Sequence, residues 1–321
     1  MEKASDSALI DSIGGWLKSL GIKDFEVLPV PGDVSLRRYF RLRHEAAPAI
    51  VAAYPEVLRQ TADRFVETTA LLAAAGVRVP RIHAFDPGLG LMLIEDAGAT
   101  TMFEERAKGW DWLSRRLAAA RDAAEEIQRL DAEAVAAINP PLDAKALFRE
   151  LEMTWELHLE PTGLCGPQPV ARELRRCLVE LCDRLEAEAL VPCHRDYMAR
   201  NLVCEPTGTG ITVLDHQDLR LGPPEYDLAS LTNDSLFLTP AQCIEIVGEE
   251  TWRSAGFRRA AAQRSLKIVG TFVSFSRRGS SHYLPWVDDC IARAFGYLTS
   301  LPEGEALSEP LRASWQAGSR S

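Results

Sequence analysis

A short run of polar residues in the middle of the chain has the types and spacing of a phosphoryl-transfer site. Asp196 follows His194 and Arg195, and Asn201 comes five residues after Asp196. This order matches the His-Arg-Asp-x-x-x-x-Asn loop of kinases, in which the aspartate accepts the proton of the attacking hydroxyl. The spacing therefore predicts a phosphotransferase that uses ATP, with Asp196 as its catalytic base.

A predicted hairpin brings a second acid to the same place. Two short apolar segments, 202–204 and 211–214, flank a turn rich in Pro and Gly, which is typical of a β-hairpin. Asn201 precedes the first segment and Asp215 follows the second, so both should lie at one end of the hairpin. Amide and carboxylate oxygens are ligands that Mg²⁺ prefers, and we predict that these two bind magnesium. The alternative is that Asp196 is a surface-loop acid and Asp215 only a strand-end cap.

Neighbouring residues are predicted to support this loop. His194 could act as an acid or a ligand, but no second His lies near it at a metal-ligand spacing, and we expect it to brace the loop by bonding to backbone. Asp227, in the segment 225–230, is expected to open or cap a helix and to hold the catalytic loop. His216 is expected to fill the wall of the site.

The rest of the chain predicts the elements that position these residues. Segments 35–42, 49–54 and 91–95 have the composition of strands, and the apolar spacing between the last two predicts a helix that ends near Gly76. After residue 100 the pattern becomes helical. Two apolar stripes at helical spacing indicate core-facing helices, one formed by Leu113, Leu117, Ala120, Ala124 and Ile127 and the other by Leu174, Leu178, Leu181 and Leu185.

These patterns predict two lobes. A small strand-rich lobe, residues 1–96, would bind the nucleotide, and a larger helical lobe, residues 97–321, would carry the catalytic and acceptor-binding residues. The short polar stretch 95–98 is the predicted hinge between them.

Composition limits the classes of partner. The chain has 321 residues, and 36 Lys and Arg against 46 Asp and Glu give a net charge of −10, which disfavours nucleic acid as a partner. No long apolar run and no signal-peptide pattern occurs, so we expect a cytoplasmic protein that makes no membrane contact. The seven cysteines form no Cys-x-x-Cys pair and are expected to be reduced core thiols. The sequence does not fix the oligomeric state, and a monomer is compatible with it.

The chain resembles the aminoglycoside phosphotransferase/choline kinase superfamily, which has a bilobal protein-kinase-like α+β fold. The resemblance rests on the run from His194 to Asn201 and on the segments 214–218, 222–229 and 72–80. Within that superfamily, the segments 33–41 and 222–231 are similar to bacterial cell-wall-recycling kinases. Those enzymes phosphorylate the anomeric hydroxyl of N-acetylmuramate and N-acetylglucosamine.

The resemblance implies a site for ATP and magnesium between the lobes. The strand lysine that contacts the phosphates in many kinases is absent from the segment 49–54, and Arg37 or Arg38 could supply its charge unless both are solvated residues at a strand edge. The residues expected to contact the nucleotide are Ser35, Arg37, Arg38, Ile94, Glu95 and Ala97.

The acceptor is less clearly indicated. Gln217 and Asp218 are candidates for contacting sugar hydroxyls or for a structural role, and Trp155 for stacking on a sugar or for the core. A small-molecule sugar is the expected partner. The alternatives are an aminoglycoside, choline, homoserine or another hexose as acceptor, or a nucleotide-binding pseudokinase. Only eleven residues separate Asp215 from Asp227, too few for the activation loop of a protein kinase.

Overall fold

The first part of the chain forms a five-stranded antiparallel sheet. A computed structural model describes residues 2–30, 36–44 and 48–318. The strands are β1 (Glu26–Val30), β2 (Arg38–Arg43), β3 (Ala49–Ala53), β4 (Ile82–Asp86) and β5 (Leu91–Glu95). They lie in the order β1-β2-β3-β5-β4. The three predicted strands are confirmed, and the two that the sequence pattern does not indicate, β1 and β4, are the edge strands.

Each face of this sheet is covered by one helix. Phe40 and Leu42 of β2 pack against Ile13 and Leu17 of helix α1 (Glu2–Ser19). Tyr39, which precedes Phe40, lies on the opposite face, because successive side chains of a strand alternate between faces.

The opposite face carries helix α2 (Arg59–Ala74), which is the predicted helix. Its Phe65 packs on Ala52, Met92 and Ile94 of the sheet. Gly76 follows the helix with a positive φ of 79°, a conformation that glycine adopts without the steric cost of a Cβ. The predicted helix end is therefore confirmed.

The remainder of the chain is mostly helical. Its helices are α3 (Met102–Glu105), α4 (Trp110–Gln128), α5 (Ala132–Ile138), α6 (Ala144–Thr154), α7 (Gln168–Glu186), α8 (Tyr226–Asn233), α9 (Pro240–Val247), α10 (Glu249–Arg253), α11 (Ala255–Arg277), α12 (Val287–Leu298) and α13 (Ser308–Gly318). Helix α11 is central and packs against α6, α8 and α12. Both predicted apolar stripes, on α4 and α7, are buried in this core.

Two short strand pairs lie among these helices. Strand β6 (Val191–Cys193) pairs with β9 (Arg220–Gly222), and β7 (Leu202–Cys204) pairs with β8 (Ile211–Val213), all antiparallel. Leu202 lies opposite Val213, so the hairpin predicted from the apolar segments is confirmed, with the register that brings its two ends together.

The connection between the lobes follows β5. Asp96 receives a 2.6 Å bond from Arg41 Nε of β2, and Gly98 has a φ of +132°. Helix α3 begins shortly afterwards at Met102. We propose residues 96 and 97 as the lobe boundary, because the last strand of the sheet has ended there and the helical part has not begun.

Two expectations from composition concern the whole molecule. The seven cysteines are buried and form no disulfide, as expected for reduced core thiols. Among the residues described, no helix combines the length and the apolar character needed to cross a membrane.

The packing of α1 on the sheet can be tested by truncating Leu17, which is fully buried. Leu17→Ala should lower the free energy of unfolding by about 2–5 kcal/mol, because it leaves a cavity between helix and sheet. Urea denaturation followed by far-UV circular dichroism measures the change. Leu36→Ala is the control, since Leu36 is 66% exposed, and it should change stability by less than about 0.5 kcal/mol. Equal effects of the two changes would contradict the packing of α1.

Candidate active site

One buried carboxylate holds the catalytic loop. Asp227, in the first turn of α8, accepts backbone N–H bonds from His194 (2.6 Å) and Arg195 (2.9 Å). Arg195 has a φ of +76°, a left-handed conformation that costs a residue with a side chain roughly 1–2 kcal/mol. His194 Nε2 donates to the carbonyl oxygen of Leu214 at 2.8 Å, which joins the loop to the hairpin. Both predicted supporting residues therefore contact the loop.

Asn201 and Asp215 meet at one end of the hairpin. The carbonyl oxygen of Asn201 accepts the N–H of Leu214 at 2.8 Å, and Asn201 Nδ2 donates to the backbone oxygen of Asp196 at 2.9 Å. Asp215 follows β8 with a φ of +59°, which aspartate tolerates better than most residues. The structure thus brings together the three residues that the sequence spacing selects.

Asp215 is paired with an arginine from the other lobe. Arg37 Nη2 lies 2.5 Å from Asp215 Oδ1, and Gln217 Nε2 donates to the same oxygen at 3.0 Å. Arg37 Nη1 also donates to Gln217 Oε1 at 3.1 Å, which closes a three-membered network. Burial alone would raise the pKa of Asp215, but Arg37 lowers it below its usual value. The carboxylate is therefore ionised at neutral pH.

Arg37 supplies positive charge to a cleft whose strand lacks a lysine. Tyr39 and Tyr54 lie beside its guanidinium, and burial raises the pKa of both phenols, so they are neutral hydrogen-bonding groups. Arg38 points differently: its Cζ lies 5.3 Å from the ring centroid of Phe40, on the face of the sheet that packs on α1. Ser35, the third residue expected here, lies outside the described residues.

A cavity of about 370 Å³ separates the two lobes. Ile94, Glu95 and Ala97, which the sequence predicts as nucleotide contacts, line it. The carboxylate of Glu95 is bound to the guanidinium of Arg78, whose hydrogen bond lowers its pKa to about 2. Its side chain therefore anchors the hinge, and a ligand would meet the backbone of this segment. The other polar residues of the wall include Arg37, Tyr39, Tyr54, Asn201 and Asp215.

A second cavity, of about 570 Å³, lies on the other side of the hairpin end. Asn201 and Asp215 line both cavities, and Asp196 lines the second. The remaining wall is partly cationic and partly aromatic, through Arg200, Arg264, Lys267, Phe272, Phe275 and Tyr283. Two ligands could therefore lie on either side of the same pair of oxygen-bearing residues.

Asp196 is held by cations of helix α11. Its Oδ1 accepts bonds from Lys267 Nζ (2.7 Å) and Arg264 Nη1 (2.9 Å), and Arg195 Nη1 lies 3.9 Å from Oδ2. Burial alone would raise the pKa of Asp196, but Lys267, then Arg264 and Arg195, hold it well below its usual range. The carboxylate is thus an ionised hydrogen-bond acceptor and a weak base.

Sequence reasoning misses Arg264 and Lys267. The signal that could find them is two cations three residues apart inside the otherwise apolar part of α11, a helix whose residues from Ala260 to Gly270 are all buried. Charged residues are almost never fully buried unless they are paired, so such a pair indicates buried acids nearby.

Three expected acceptor contacts lie elsewhere. Gln217 is buried and braces Arg37 and Asp215. Asp218 binds Arg195 and Arg220 rather than facing the cavity beside Asp196. Trp155 packs in the main hydrophobic core, because it begins a π-helical turn that continues the buried face of α6. None of the three lines the second cavity, which favours for each the structural alternative named from the sequence.

His216 ties the turn that follows β8 to helix α2. Its ring stacks on Phe65 with centroids 4.3 Å apart, and its Nδ1 lies 2.8 Å from Thr68 Oγ1. Burial lowers the pKa of His216 to about 3, so the imidazole is neutral. Neither cavity is lined by His216 in the described structure: the ring is buried beside Asp215 and contacts the first lobe instead.

The polar groups around Asp215 fit a partly protein-bound magnesium ion. In the described parts of the chain, no group of three His, Cys, Asp or Glu residues is arranged as a complete metal site. Both bonds to the Asp215 carboxylate involve Oδ1, and Asn201 uses its amide nitrogen internally. Asp215 Oδ2 and Asn201 Oδ1 are therefore the oxygens left for a cation. Mg²⁺ is commonly held by one or two protein ligands together with substrate phosphates.

Comparisons of sequence match the chain to phosphotransferases. The sequence model of the phosphotransferase enzyme family matches residues 26–262. The chain is 31% identical to an N-acetylmuramate/N-acetylglucosamine kinase of Pseudomonas aeruginosa, over 92% of each chain. It is 32% identical to a kinase of the same name from Pseudomonas putida, over 90% of this chain and 88% of that one.

Solved structures show the same fold. A choline kinase from Streptococcus pneumoniae matches with a TM-score of 0.62 at 16% identity, over 92% of this chain and all of that one. A GDP complex of an aminoglycoside 2'-phosphotransferase matches with a TM-score of 0.63 at 15% identity, over 94% and 99% of the two chains. These likenesses confirm the bilobal kinase-like fold that the resemblance implies. The chain belongs to the phosphotransferase enzyme family.

Proposed function

We propose that this protein is a magnesium-dependent kinase that transfers the γ-phosphoryl group of ATP to the anomeric hydroxyl of an amino sugar, N-acetylmuramate or N-acetylglucosamine. The observation that carries this proposal is the position of Asn201 and Asp215 between two cavities, with Asp196 opening on the second. The sugar is inferred from the names of the relatives that match nine-tenths of the chain.

ATP would occupy the cavity between the lobes. Its adenine would contact the backbone from Ile94 to Ala97, where the carboxylate of Glu95 is already engaged by Arg78. Its phosphates would lie near Arg37, the cation that a polyanion needs in this acidic protein. Ser35 is proposed as a further phosphate contact.

Asn201 and Asp215 would hold magnesium through their side-chain oxygens. Magnesium held there would supply positive charge that offsets the negative charge developing on the phosphoryl group during transfer. Arg37 and Gln217 keep the carboxylate of Asp215 ionised and fixed in orientation, which prepares it for a cation.

Asp196 would orient the acceptor hydroxyl and receive its proton. Its depressed pKa makes it a poor base for early proton removal. This property suits a loose transition state, in which the hydroxyl becomes acidic only as its oxygen bonds to phosphorus. Catalysis would then come mainly from positioning and electrostatics.

The second cavity suits an acidic sugar. Phe272, Phe275 and Tyr283 offer aromatic surface of the kind on which sugar faces stack. Arg200 also lines this cavity, with its guanidinium 3.6 Å from the ring centroid of Phe103. N-acetylmuramate carries a carboxylate that N-acetylglucosamine lacks, and a positioned arginine is the side chain that best receives it.

An acceptor screen tests the proposed activity. Purified protein with MgATP should release ADP with N-acetylmuramate or N-acetylglucosamine but not with choline, homoserine or aminoglycosides, and phosphorus NMR should identify a sugar 1-phosphate. Asp196→Asn should lower the rate by about 10²–10⁴-fold, since the proton acceptor is lost. ADP affinity should be unchanged in that variant. Phosphate on another hydroxyl would refute the anomeric assignment, and ATP binding without turnover on any acceptor would support a pseudokinase.

The role of Arg37 can be separated from that of its neighbour. Arg37→Met should lower kcat/KM for ATP by about 10- to 100-fold, because it removes a charge-assisted contact worth about 1.5–3 kcal/mol. Arg38→Met is the matched control and should change kcat/KM by less than about threefold, since Arg38 lies on the other face of the sheet. Steady-state kinetics with varied ATP measures both. A larger loss from the Arg38 change would reverse the assignment.

Sugar preference tests the role of Arg200. Arg200→Met should lower kcat/KM for N-acetylmuramate about 10- to 100-fold more than for N-acetylglucosamine, because only the former has a carboxylate to lose its partner. Arg106→Met is the control: Arg106 stacks on the same Phe103 ring, at 3.8 Å, but does not line the cavity. Parallel losses on both sugars would mean that Arg200 acts only through packing.

A further inference from the structure

Helix α11 carries three buried cations, Arg259, Arg264 and Lys267. A buried charge is costly unless it is paired, so each needs a reason to be there. Arg259 has a structural one, since its Nε binds Glu303 at 2.7 Å, far from the cavity beside Asp196. The other two reach the catalytic loop.

The guanidinium group of Arg264 is occupied by bonds within the fold. Its side chain has no exposed surface, and it binds Asp234, the backbone oxygen of Arg195 and Asp196 Oδ1. These bonds fix the catalytic loop to α11, in addition to the bonds that Asp227 makes from α8. Asp196 is thus held in place without any second cation.

Lys267 repeats a contact that Arg264 already makes. Its Nζ lies 2.7 Å from the same Asp196 Oδ1 and 3.6 Å from Glu150 Oε1. Glu150 has two other hydrogen-bond donors, because Arg195 Nη2 donates to it at 2.6 Å and Gln263 Nε2 at 3.0 Å. The loop and the acid therefore keep hydrogen-bond partners without Lys267.

Lys267 differs from Arg264 in facing the cavity. Its side chain is 10% exposed and lines the wall beside Asp196. An ammonium group has three donors, and within the described chain one bonds Asp196 while Glu150 lies beyond hydrogen-bond length. At least one donor is available to a ligand that reaches Asp196.

We propose that Lys267 is a catalytic residue whose ammonium group binds the phosphoryl group while it is transferred. The inference rests on the proposed function. The acceptor oxygen forms its bond to the γ-phosphorus as the bond from that phosphorus to the ADP oxygen breaks, and the acceptor proton passes to the carboxylate of Asp196. Lys267 remains an ammonium group throughout, and one of its N–H groups donates a hydrogen bond to a non-bridging phosphoryl oxygen.

Charge balance favours this role. Before transfer, the ammonium of Lys267 is offset by the ionised Asp196. When Asp196 takes up the proton its negative charge disappears, and the phosphoryl group arrives within reach with negative charge on its oxygens. A fixed donor aimed at charge that develops in the transition state is the arrangement that accelerates such reactions most.

The inference predicts a specific loss in Lys267→Met. The rate kcat should fall by about 10²–10³-fold, the cost of removing one transition-state donor, while both KM values change by less than about threefold. Affinity for ADP with aluminium fluoride, a mimic of the transferring group, should fall at least about tenfold by calorimetry. Affinity for ADP alone should stay the same. Lys145→Met on α6 is the control, since Lys145 is exposed and should behave as wild type.

Repeating the aluminium fluoride binding measurement in an Asp196→Asn background distinguishes two roles of Lys267. In one, Lys267 contacts the phosphoryl group directly, and in the other it acts only through Asp196. If Lys267 touches the phosphoryl group, adding Lys267→Met still weakens the aluminium fluoride complex. If adding it leaves that affinity unchanged, or if ADP and aluminium fluoride complexes weaken equally, Lys267 is a structural residue and the proposal is wrong. Lys267→Gln replaces the methionine variant if thermal melting shows that the latter does not fold.

Failure of the proposed function has a different signature. If no sugar is phosphorylated, the slow hydrolysis of ATP by water and the aluminium fluoride affinity still report on Lys267, because neither needs the sugar. A wild-type protein that turns over another acceptor, with Lys267→Met slowed on it, keeps this inference and changes only the substrate.

Discussion

The two hydrogen bonds that the Asp227 carboxylate accepts from backbone amides are the interaction on which the rest of the site depends. These bonds hold His194 and Arg195 in place, although Arg195 has an unfavourable positive φ. They thereby fix the position of the next residue, Asp196. Two buried amides without partners would each cost about 1–3 kcal/mol. The helix that carries Asp227 packs against α11, which supplies the cations around Asp196. The loop is thus positioned from two helices at once.

The protein places positive charge locally at its site, although its net charge is negative and repels a negatively charged substrate. A net charge of −10 repels nucleotides at long range, but surface charges farther away than about 10 Å are largely screened by salt. Arg37 and Lys267 act within a few ångströms of the carboxylates that they accompany. Each is largely buried, so its field is less screened than that of a surface residue. Local arrangement, rather than net charge, decides which ligands the site accepts.

The sequence predicts the parts of this site that are local. His194, Asp196, Asn201 and Asp215 are found from spacing, because a loop and a hairpin fix their relative positions within about twenty residues. Arg264 and Lys267 lie about seventy residues from Asp196, and no local pattern shows where α11 will dock. The same limit leaves two alternatives open for Trp155, because a tryptophan on an amphipathic helix has the same sequence pattern whether it faces a ligand or the core. Edge strands β1 and β4 are missed because β1 contains a proline and β4 an aspartate, residue types that weaken a strand pattern.

The contacts of His216 with Phe65 and Thr68 limit how the two lobes can move. The lobes are joined covalently at residues 95–98, and this buried ring connects them a second time at α2. Arg37 of the first lobe also pairs with Asp215 of the second. Any widening of the cleft therefore has to loosen either the His216 contact or that ion pair.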